Sequence, residues 1–460
     1  MKIPLGKFMA SLSKKTMQRL LDTSLLPFRE GERPGDREAF LTNLHRDVMS
    51  RKYFPSLPRG YIVLDKHNGV TRIIPVFSYR DMCVYYLCVN EIEEYIATNR
   101  VPGTYGGYMM GNPNRKMEDI ERAPSAEDEF GYYLTSAIDP MLWVENFRNY
   151  VGREYDWSGP RELQCFLKFD IANFYDSINL DILERKIRAV VPREKYEAVD
   201  LLFVLLRNWN RGYEGYGSKT VGIPQNDAGD CSRLLANFYL QDYDEFIYKQ
   251  CEVSVGLCRY VRYADDQTIM AETPEAARYI MFAASRELHK IGLNINSGKV
   301  IEFSSRDAFE YYWSFDIHGN LNIKKDLERI NLAAQMFIER LESNGWDSSD
   351  KPWRADSILK RLLNIGLMNI ALALREKISA LVMTEKTILK LDALAFEKVY
   401  EALNMKGQDD LIVRIESLIP VAYYNNFHLN VLQFYKKCRK DIPVTHIENR
   451  LAELNEQGFV

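Results

Sequence analysis

The chain has 460 residues, of which 46% are hydrophobic and 12% aromatic, more than one ordinary domain holds, so two or three packed subdomains are expected. Its formal net charge of −4 hides an asymmetry: residues 1–80 carry fifteen Lys and Arg against seven Asp and Glu, a net of +8 that leaves −12 for the rest. A basic end beside an acidic remainder suits nucleic acid on one face and a metal cluster elsewhere, and equally a basic surface that is only solvated. The sequence lacks a run of about 18 apolar residues, and the opening Met-Lys-Ile-Pro-Leu-Gly lacks an apolar leader core, so a soluble, cytoplasmic protein with no membrane partner is expected. Seven scattered cysteines without a Cys-x-x-Cys, and six dispersed histidines, argue against a disulfide framework or structural zinc.

In chain order, residues 8–24 and 37–51 read as short helices. Residues 60–64 and 70–75 read as strands around the polar stretch 65–69, a hairpin with Asn68-Gly69 at its tip. Lys66 and Arg72 flank that turn. An Arg fork with a Lys point charge suits a triphosphate, although a solvated hairpin carries such charges too. Residues 81–98 form an amphipathic helix, with Val84, Leu87, Cys88, Ile92 and Tyr95 on one side. The glycine-rich stretch 102–116 lacks the Gly-Lys-Ser/Thr of a phosphate loop, and in Gly217-Ser218-Lys219-Thr220 a serine separates glycine from lysine. Stretch 102–116 is instead a place where tyrosines could stack on bases of a nucleic-acid strand.

The central block carries the chemistry. Residues 166–169 form a buried-type strand that runs into Asp170, and a carboxylate there is costly unless something binds it. A helix follows over 180–190. Gly222-Ile223-Pro224-Gln225 makes a turn into a helix over 230–246 with Leu234, Leu235, Phe238 and Tyr239 as its stripe. Residues 258–271 are β-prone on both sides of Asp265-Asp266, placing the doubled aspartate at a tight hairpin tip. Hard oxygen ligands suit Mg²⁺, while a solvated turn explains an isolated Asp-Asp pair as well. A helix over 274–291 and the segment Gly292-Leu293-Asn294-Ile295-Asn296-Ser297-Gly298-Lys299 complete the block.

Together these segments resemble the palm of a reverse transcriptase. The likeness rests on Phe169-Asp170-Ile171-x-x-Phe174-Tyr175-Asp176-Ser177-Ile178, Gly222-Ile223-Pro224-Gln225 with Ser232-Arg233-Leu234-Leu235-Ala236, Tyr263-Ala264-Asp265-Asp266, and Gly292-Leu293-x-x-Asn296-x-x-Lys299. The hairpin with Lys66 and Arg72 matches that family's fingers, and the resemblance spans about residues 55–305. Within the family the chain looks most like prokaryotic defence-associated enzymes, the Abi and unknown-group types. One departure is the connection between Gln225 and Leu234, Asn226-Asp227-Ala228-Gly229-Asp230-Cys231-Ser232-Arg233, longer than the usual glycine-rich one.

The resemblance implies an α+β right-hand polymerase. Residues 1–160 would be an N-terminal region with fingers, 161–318 a palm with an antiparallel sheet packed on helices, and 319–460 an all-helical thumb and C-terminal extension. It implies an RNA-directed DNA polymerase with two Mg²⁺ ions (Mn²⁺ being possible), held by Asp170, Asp265 and the Ile171 carbonyl with Asp266 in support. Lys66 and Arg72 would clamp the triphosphate, Lys299 would neutralise the departing pyrophosphate, and Gln225 would touch the nascent pair. Tyr175, five residues past Asp170, would exclude a ribose 2′-hydroxyl and so select dNTPs, because Asp176 falls one position later and points elsewhere. The partners expected are dNTPs, an RNA template of non-coding type and nascent DNA, with assembly into a homo-oligomer left open, in antiphage defence. Template-independent or protein-primed synthesis by the same site is the alternative, with Tyr423, Tyr424 and Tyr435 available as hydroxyls; an inert polymerase-fold scaffold is a third reading.

Beyond Phe303, the aromatics Tyr312, Trp313 and Phe315 suggest a strand pair over 311–323. Helical stripes then take over: Leu327, Ile330, Ala334, Phe337, Ile338 and Leu341, then Ile358, Leu362 and Ile365 with a break near Gly366, then Ile388, Leu391, Leu394, Phe396 and Val399.

Overall fold

The computed structural model describes residues 3–22, 33–67, 70–97, 101–107, 142–210, 220–225, 231–321, 326–346, 351–438 and 444–456. The chain divides into two units, one made of Met1–Gly60 with Ile74–Arg306 and one of Tyr61–Ile73 with Asp307–Val460.

The first unit begins with α1 (Leu5–Ser11), α2 (Lys14–Asp22) and α3 (Arg37–Met49), so the expected first helix is broken into two. The hairpin β1 (Gly60–His67) and β2 (Val70–Val76) forms as read, with its Asn68-Gly69 tip outside the described residues. Next is α4 (Tyr79–Ile96), started by Ser78, whose hydroxyl accepts from the Asp81 amide. The two-residue β3 (Thr104–Tyr105) and α5 (Leu142–Trp157) lead to β4 (Cys165–Phe169). Four of the five β4 residues are apolar, and all are buried. This is the pattern of a strand covered on both faces.

After β4 the chain makes the single turn α6 (Phe174–Ser177), then α7 (Leu180–Val190), capped by Asn179, and α8 (Tyr196–Asn208). The helix expected over 230–246 is two helices, α9 (Cys231–Tyr239) and α10 (Gln241–Val253). The hairpin β5 (Cys258–Tyr263) and β6 (Asp266–Ala271), then α11 (Pro274–Lys290) and β7 (Ile301–Phe303), complete the unit. The sheet order is β3-β5-β6-β4-β7, antiparallel except for the β3–β5 pair. Helices pack on it around one core that includes Leu87, Leu167, Leu183, Leu202, Leu235 and Ile280. The result is the expected α+β arrangement.

Among the described residues the second unit is helical apart from its share of the β1–β2 hairpin. It contains α12 (Arg306–Trp313), α13 (Phe315–Leu321), α14 (Leu327–Asn344), α15 (Ala355–Ile365), α16 (Leu372–Val382), α17 (Glu385–Ile388), α18 (Ala393–Ala402), α19 (Met405–Leu418), α20 (Asn425–Cys438) and α21 (Val444–Glu456). The strand pair expected over 311–323 is therefore corrected to α12 and α13. Phe309, Trp313, Ile317 and Leu321 recur every fourth residue and are buried, which is helical spacing. The neighbouring aromatics had masked it. Ser314, at φ +53°, separates the two helices. The break near Gly366 is present, at φ +96°. Within this unit the buried Asn425 brackets the hairpin edge: its Oδ1 accepts from the Val63 amide at 2.7 Å and its Nδ2 donates to the Tyr61 carbonyl at 2.7 Å.

Candidate active site

Strand register brings the acids together. β4 and β6 pair as far as Phe169↔Gln267, so the next step of the ladder sets Asp170 level with Asp266. β5 and β6 pair as far as Tyr263↔Asp266, leaving Ala264-Asp265 as a two-residue tip. The sequence-predicted tip thus shifts by one position: Asp265 sits in the turn and Asp266 opens the strand. Ala264 adopts φ +53°, a left-handed conformation that costs alanine roughly 1 kcal/mol and persists where the surroundings enforce it.

Asp170 is buried. Its carbonyl accepts from the Asn296 amide at 2.9 Å, and the Ala172 amide donates to the Asn294 carbonyl at 2.8 Å. These two bonds frame the Ile171–Ile295 bridge and do not use the carbonyl of Ile171 itself. Lys299 Nζ donates to Asp170 Oδ2 at 2.6 Å, whereas Asp170 Oδ1 is buried without a hydrogen-bond partner. Asp266 faces Lys168, whose Nζ is 3.5 Å from its Oδ1. Burial pulls the Lys299 ammonium down, but the hydrogen bond to Asp170 and the charges of Asp170, Asp265 and Asp266 outweigh it and raise its pKa. One lysine therefore feels all three acids.

Among the described residues no three His, Cys, Asp or Glu side chains are arranged to hold a metal ion. Two lysines stand among the carboxylates instead. The donor set, carboxylates plus a backbone carbonyl with one buried oxygen unpaired, nevertheless fits a hard divalent cation.

Beneath the tip lies a network that the sequence did not disclose. Arg262 is fully buried. Its Nε and Nη2 donate to both Asp244 oxygens at 2.7 and 2.5 Å, its Nη2 to Asn237 Oδ1 at 2.8 Å, and its Nη1 to the Ala264 carbonyl at 2.8 Å. The Ala264 amide donates to the Tyr105 carbonyl at 3.2 Å, so the strained residue is held from both sides. The only sequence trace was a pair of arginines, Arg259 and Arg262, in an otherwise aromatic and apolar strand, with Asp244 beside the buried Tyr243. Under β4, Lys168 donates to the Tyr150 hydroxyl at 3.0 Å, and Thr268 donates to Glu154 at 2.6 Å. Burial raises the Glu154 carboxyl to about 7, against the lowering effect of Lys168.

The glycine-rich stretch needs a correction over residues 102–107, the part that is described. It forms the sheet edge. Gly106, at φ +88°, brings its backbone so close that a Cβ would lie 3.2 Å from the Ala264 nitrogen, and Tyr105 is buried with its ring 6.3 Å from that of Tyr150. The glycines serve backbone approach rather than a stacking surface.

Tyr175 lies on α6 rather than at a strand end, half-buried, while Asp176 is exposed. The two still point apart, because successive helical residues diverge. The Tyr175 carbonyl accepts from the Ile223 amide at 2.9 Å. Gly222, at φ +91°, packs where a Cβ would lie 3.1 Å from the Asp176 carbonyl oxygen. The Tyr85 hydroxyl bonds Ser232 Oγ at 2.7 Å, and Ser232 donates to the Pro224 carbonyl. Tyr175, Gly222, Pro224 and Ser232 are thus one cluster, with Gln225 half-buried beside it. Residues 226–230 of the unusual connection lie outside the described residues. Arg72 is on β2 and Lys66 on β1, whose Lys66 side chain is likewise outside the description; both belong to the second unit.

Residues 128–312 match the family model of reverse transcriptase (RNA-dependent DNA polymerase). This segment is a reverse transcriptase domain. A domain of that family is an RNA-directed DNA polymerase, a nucleotidyltransferase. It contains every predicted site residue except Lys66 and Arg72, whose hairpin precedes the match. No curated protein matches the sequence. Solved structures similar to the chain include apo telomerase from Candida tropicalis truncated from its C-terminal domain, with 14% identity over 58% of this chain and 55% of that one, at a TM-score of 0.31. Telomerase from Candida albicans in complex with a fragment of telomeric RNA gives 10% identity, 82% and 70% coverage, and a TM-score of 0.36. The chain spans about half the length of the first. Likeness this distant carries no correspondence of residues or partners. No helix among the described residues is long and apolar enough to cross a membrane.

Proposed function

We propose that this chain copies RNA into DNA at Asp170, Asp265 and Asp266, joining deoxynucleoside triphosphates to a primer 3′-hydroxyl. The observation that carries the reading is the buried, unpaired Oδ1 of Asp170 beside two further carboxylates, an arrangement that is stable when cations complete it. Asp170 and Asp265, with Asp266 in support and the Ile171 carbonyl, would hold two Mg²⁺ ions, or Mn²⁺ in their place. Bound there, they supply activation of the hydroxyl and neutralisation of the pyrophosphate.

The chain's own residues do the positioning. Lys299 carries its charge among the acids and turns to the leaving pyrophosphate. Lys66 and Arg72 grip the triphosphate. The ring of Tyr175 denies space to a 2′-hydroxyl, and Gln225 lies against the nascent pair. Residues 1–160 act as N-terminal region and fingers, 161–318 as palm, and 319–460 as thumb and extension. The likeness of Ser232-Arg233-Leu234-Leu235-Ala236 to defence-associated enzymes supports the narrower reading, that a dedicated non-coding RNA is copied in the cytoplasm during antiphage defence.

The test is primer extension on an RNA template by the full chain with Mg²⁺ and dNTPs, alongside Asp265→Asn and sequencing of copurifying nucleic acid. Template-dependent DNA lost in Asp265→Asn, with one RNA enriched, is the expected result. Products independent of template, or DNA attached to the protein, would replace the templated reading, and absence of any synthesis would leave a scaffold.

A further inference from the structure

Cys251, in the last turn of α10, and Cys258, the first residue of β5, flank a six-residue connection, and their Sγ atoms lie 3.3 Å apart. None of the seven cysteines is in a disulfide bond. A disulfide bond is about 2.05 Å long, so closing this pair brings the sulfurs only about 1.3 Å nearer. We propose that Cys251 and Cys258 are a peroxide-sensitive dithiol that closes to a disulfide, fastening the end of α10 to the start of β5. The proposal does not depend on the polymerase reading.

The two cysteines differ in the way such a pair requires. Cys258 is half-buried and Cys251 buried. The hydrogen bond between the thiols favours ionisation of the one that is better solvated. That bond and the Arg259 amide lower the Cys258 pKa against the effect of burial, while the same bond and burial raise that of Cys251. Three of the other five thiols are protected: burial pushes Cys83 up to about 12 and raises Cys88 and Cys165, and thiolate character governs attack on peroxide.

In the first step Cys258 thiolate attacks the O–O bond of a hydroperoxide, forming a sulfenic acid and releasing hydroxide, or alkoxide from an organic peroxide. In the second, the sulfur of Cys251 attacks Sγ of Cys258, the S–S bond forms, the S–O bond breaks, and water leaves with the thiol proton. Two electrons pass from the two thiols to one peroxide. The connection crossed by the bond carries Val253 and Val255, both strongly exposed, and Gly256 at φ +84°. The bond would join the helix that holds Asp244 to the strand that holds Arg262.

The experiment treats the folded full chain with hydrogen peroxide, counts free thiols and maps peptides. The expected result is a fall from seven free thiols by two, with the fragments holding Cys251 and Cys258 cross-linked and released by reductant. Cys251→Ser should leave Cys258 as a sulfenic acid captured by a dione reagent, and Cys258→Ser should give neither product. Loss of other thiols first, or a Cys258 sulfenic acid that persists in the parent with Cys251 present, overturns the proposal. The parent map alone decides it if a variant fails to fold.

Discussion

Replacing Arg262 by lysine tests whether the buried guanidinium sets the position of Asp265. Arg262 holds both oxygens of Asp244, Asn237 and the carbonyl of Ala264. Lysine keeps the charge and one contact with Asp244 but lacks the fork that reaches the others. A hydrogen bond to a charged group contributes about 1.5–3 kcal/mol. Loss of the Ala264 and Asn237 bonds, partly offset by water, therefore removes roughly 3 kcal/mol, which a domain of ordinary stability survives at low temperature.

The catalytic consequence should be larger than the structural one. Ala264 at φ +53° is held by Arg262 on its carbonyl and Tyr105 on its amide, and Asp265 is the next residue. With one hold removed the tip relaxes, and a displacement of about 1 Å at a reacting centre costs about 100-fold in rate. Primer extension with kcat and KM measured separately, beside thermal unfolding, should show kcat down about 100-fold with KM for dNTP little changed. Asn237→Ala is the control: it removes one bond of the network but leaves the Ala264 contact, so Tm should fall while kcat stays within about threefold. If folded Arg262→Lys also keeps kcat within about threefold, the guanidinium does not position the turn.

Tyr175→Ala should raise incorporation of ribonucleotides relative to deoxynucleotides by about tenfold or more, read in competition assays; an unchanged ratio removes Tyr175 from sugar selection. Glu154 supplies a pH prediction. Its folded pKa of about 7 lies above its unfolded value near 4.5, so the folded state holds a proton the unfolded state has lost, and this contribution to stability is present below pH 4.5 and lost as pH rises to 7. Relative to Glu154→Gln, the parent should lose about 3 kcal/mol of unfolding free energy across that window, and parallel curves for the two proteins would refute it. Asn425→Ala should destabilise the second unit by about 1–3 kcal/mol by leaving the Val63 amide and Tyr61 carbonyl unpaired, with faster hydrogen exchange at Val63; unchanged protection there would show that the bracket is dispensable.

The sequence disclosed the parts whose signal is local. An apolar strand ending in Asp170, a β-prone hairpin around Asp265-Asp266 and glycine before Ile223-Pro224 each sit within about ten residues, and period and turn chemistry are enough to read them. It failed where two local patterns competed, as at Tyr312, Trp313 and Phe315, whose bulk suits a strand while the four-residue spacing of Phe309, Trp313, Ile317 and Leu321 decides for helix. It was silent where a residue's meaning depends on a distant partner. Arg262 looks like a solvated strand arginine until Asp244 is seen against it, and Asn425 is an ordinary helix residue until Val63, 362 positions away, is found on its oxygen. Those partners matter most beside the Tyr-Ala-Asp-Asp turn. An acid pair that only needed solvent would not require a fully buried arginine, a left-handed alanine and a glycine edge strand to hold its backbone. The stabilisation spent on that conformation is itself the reason to look for chemistry at Asp265, and it is why loosening Arg262 should cost rate before it costs the fold.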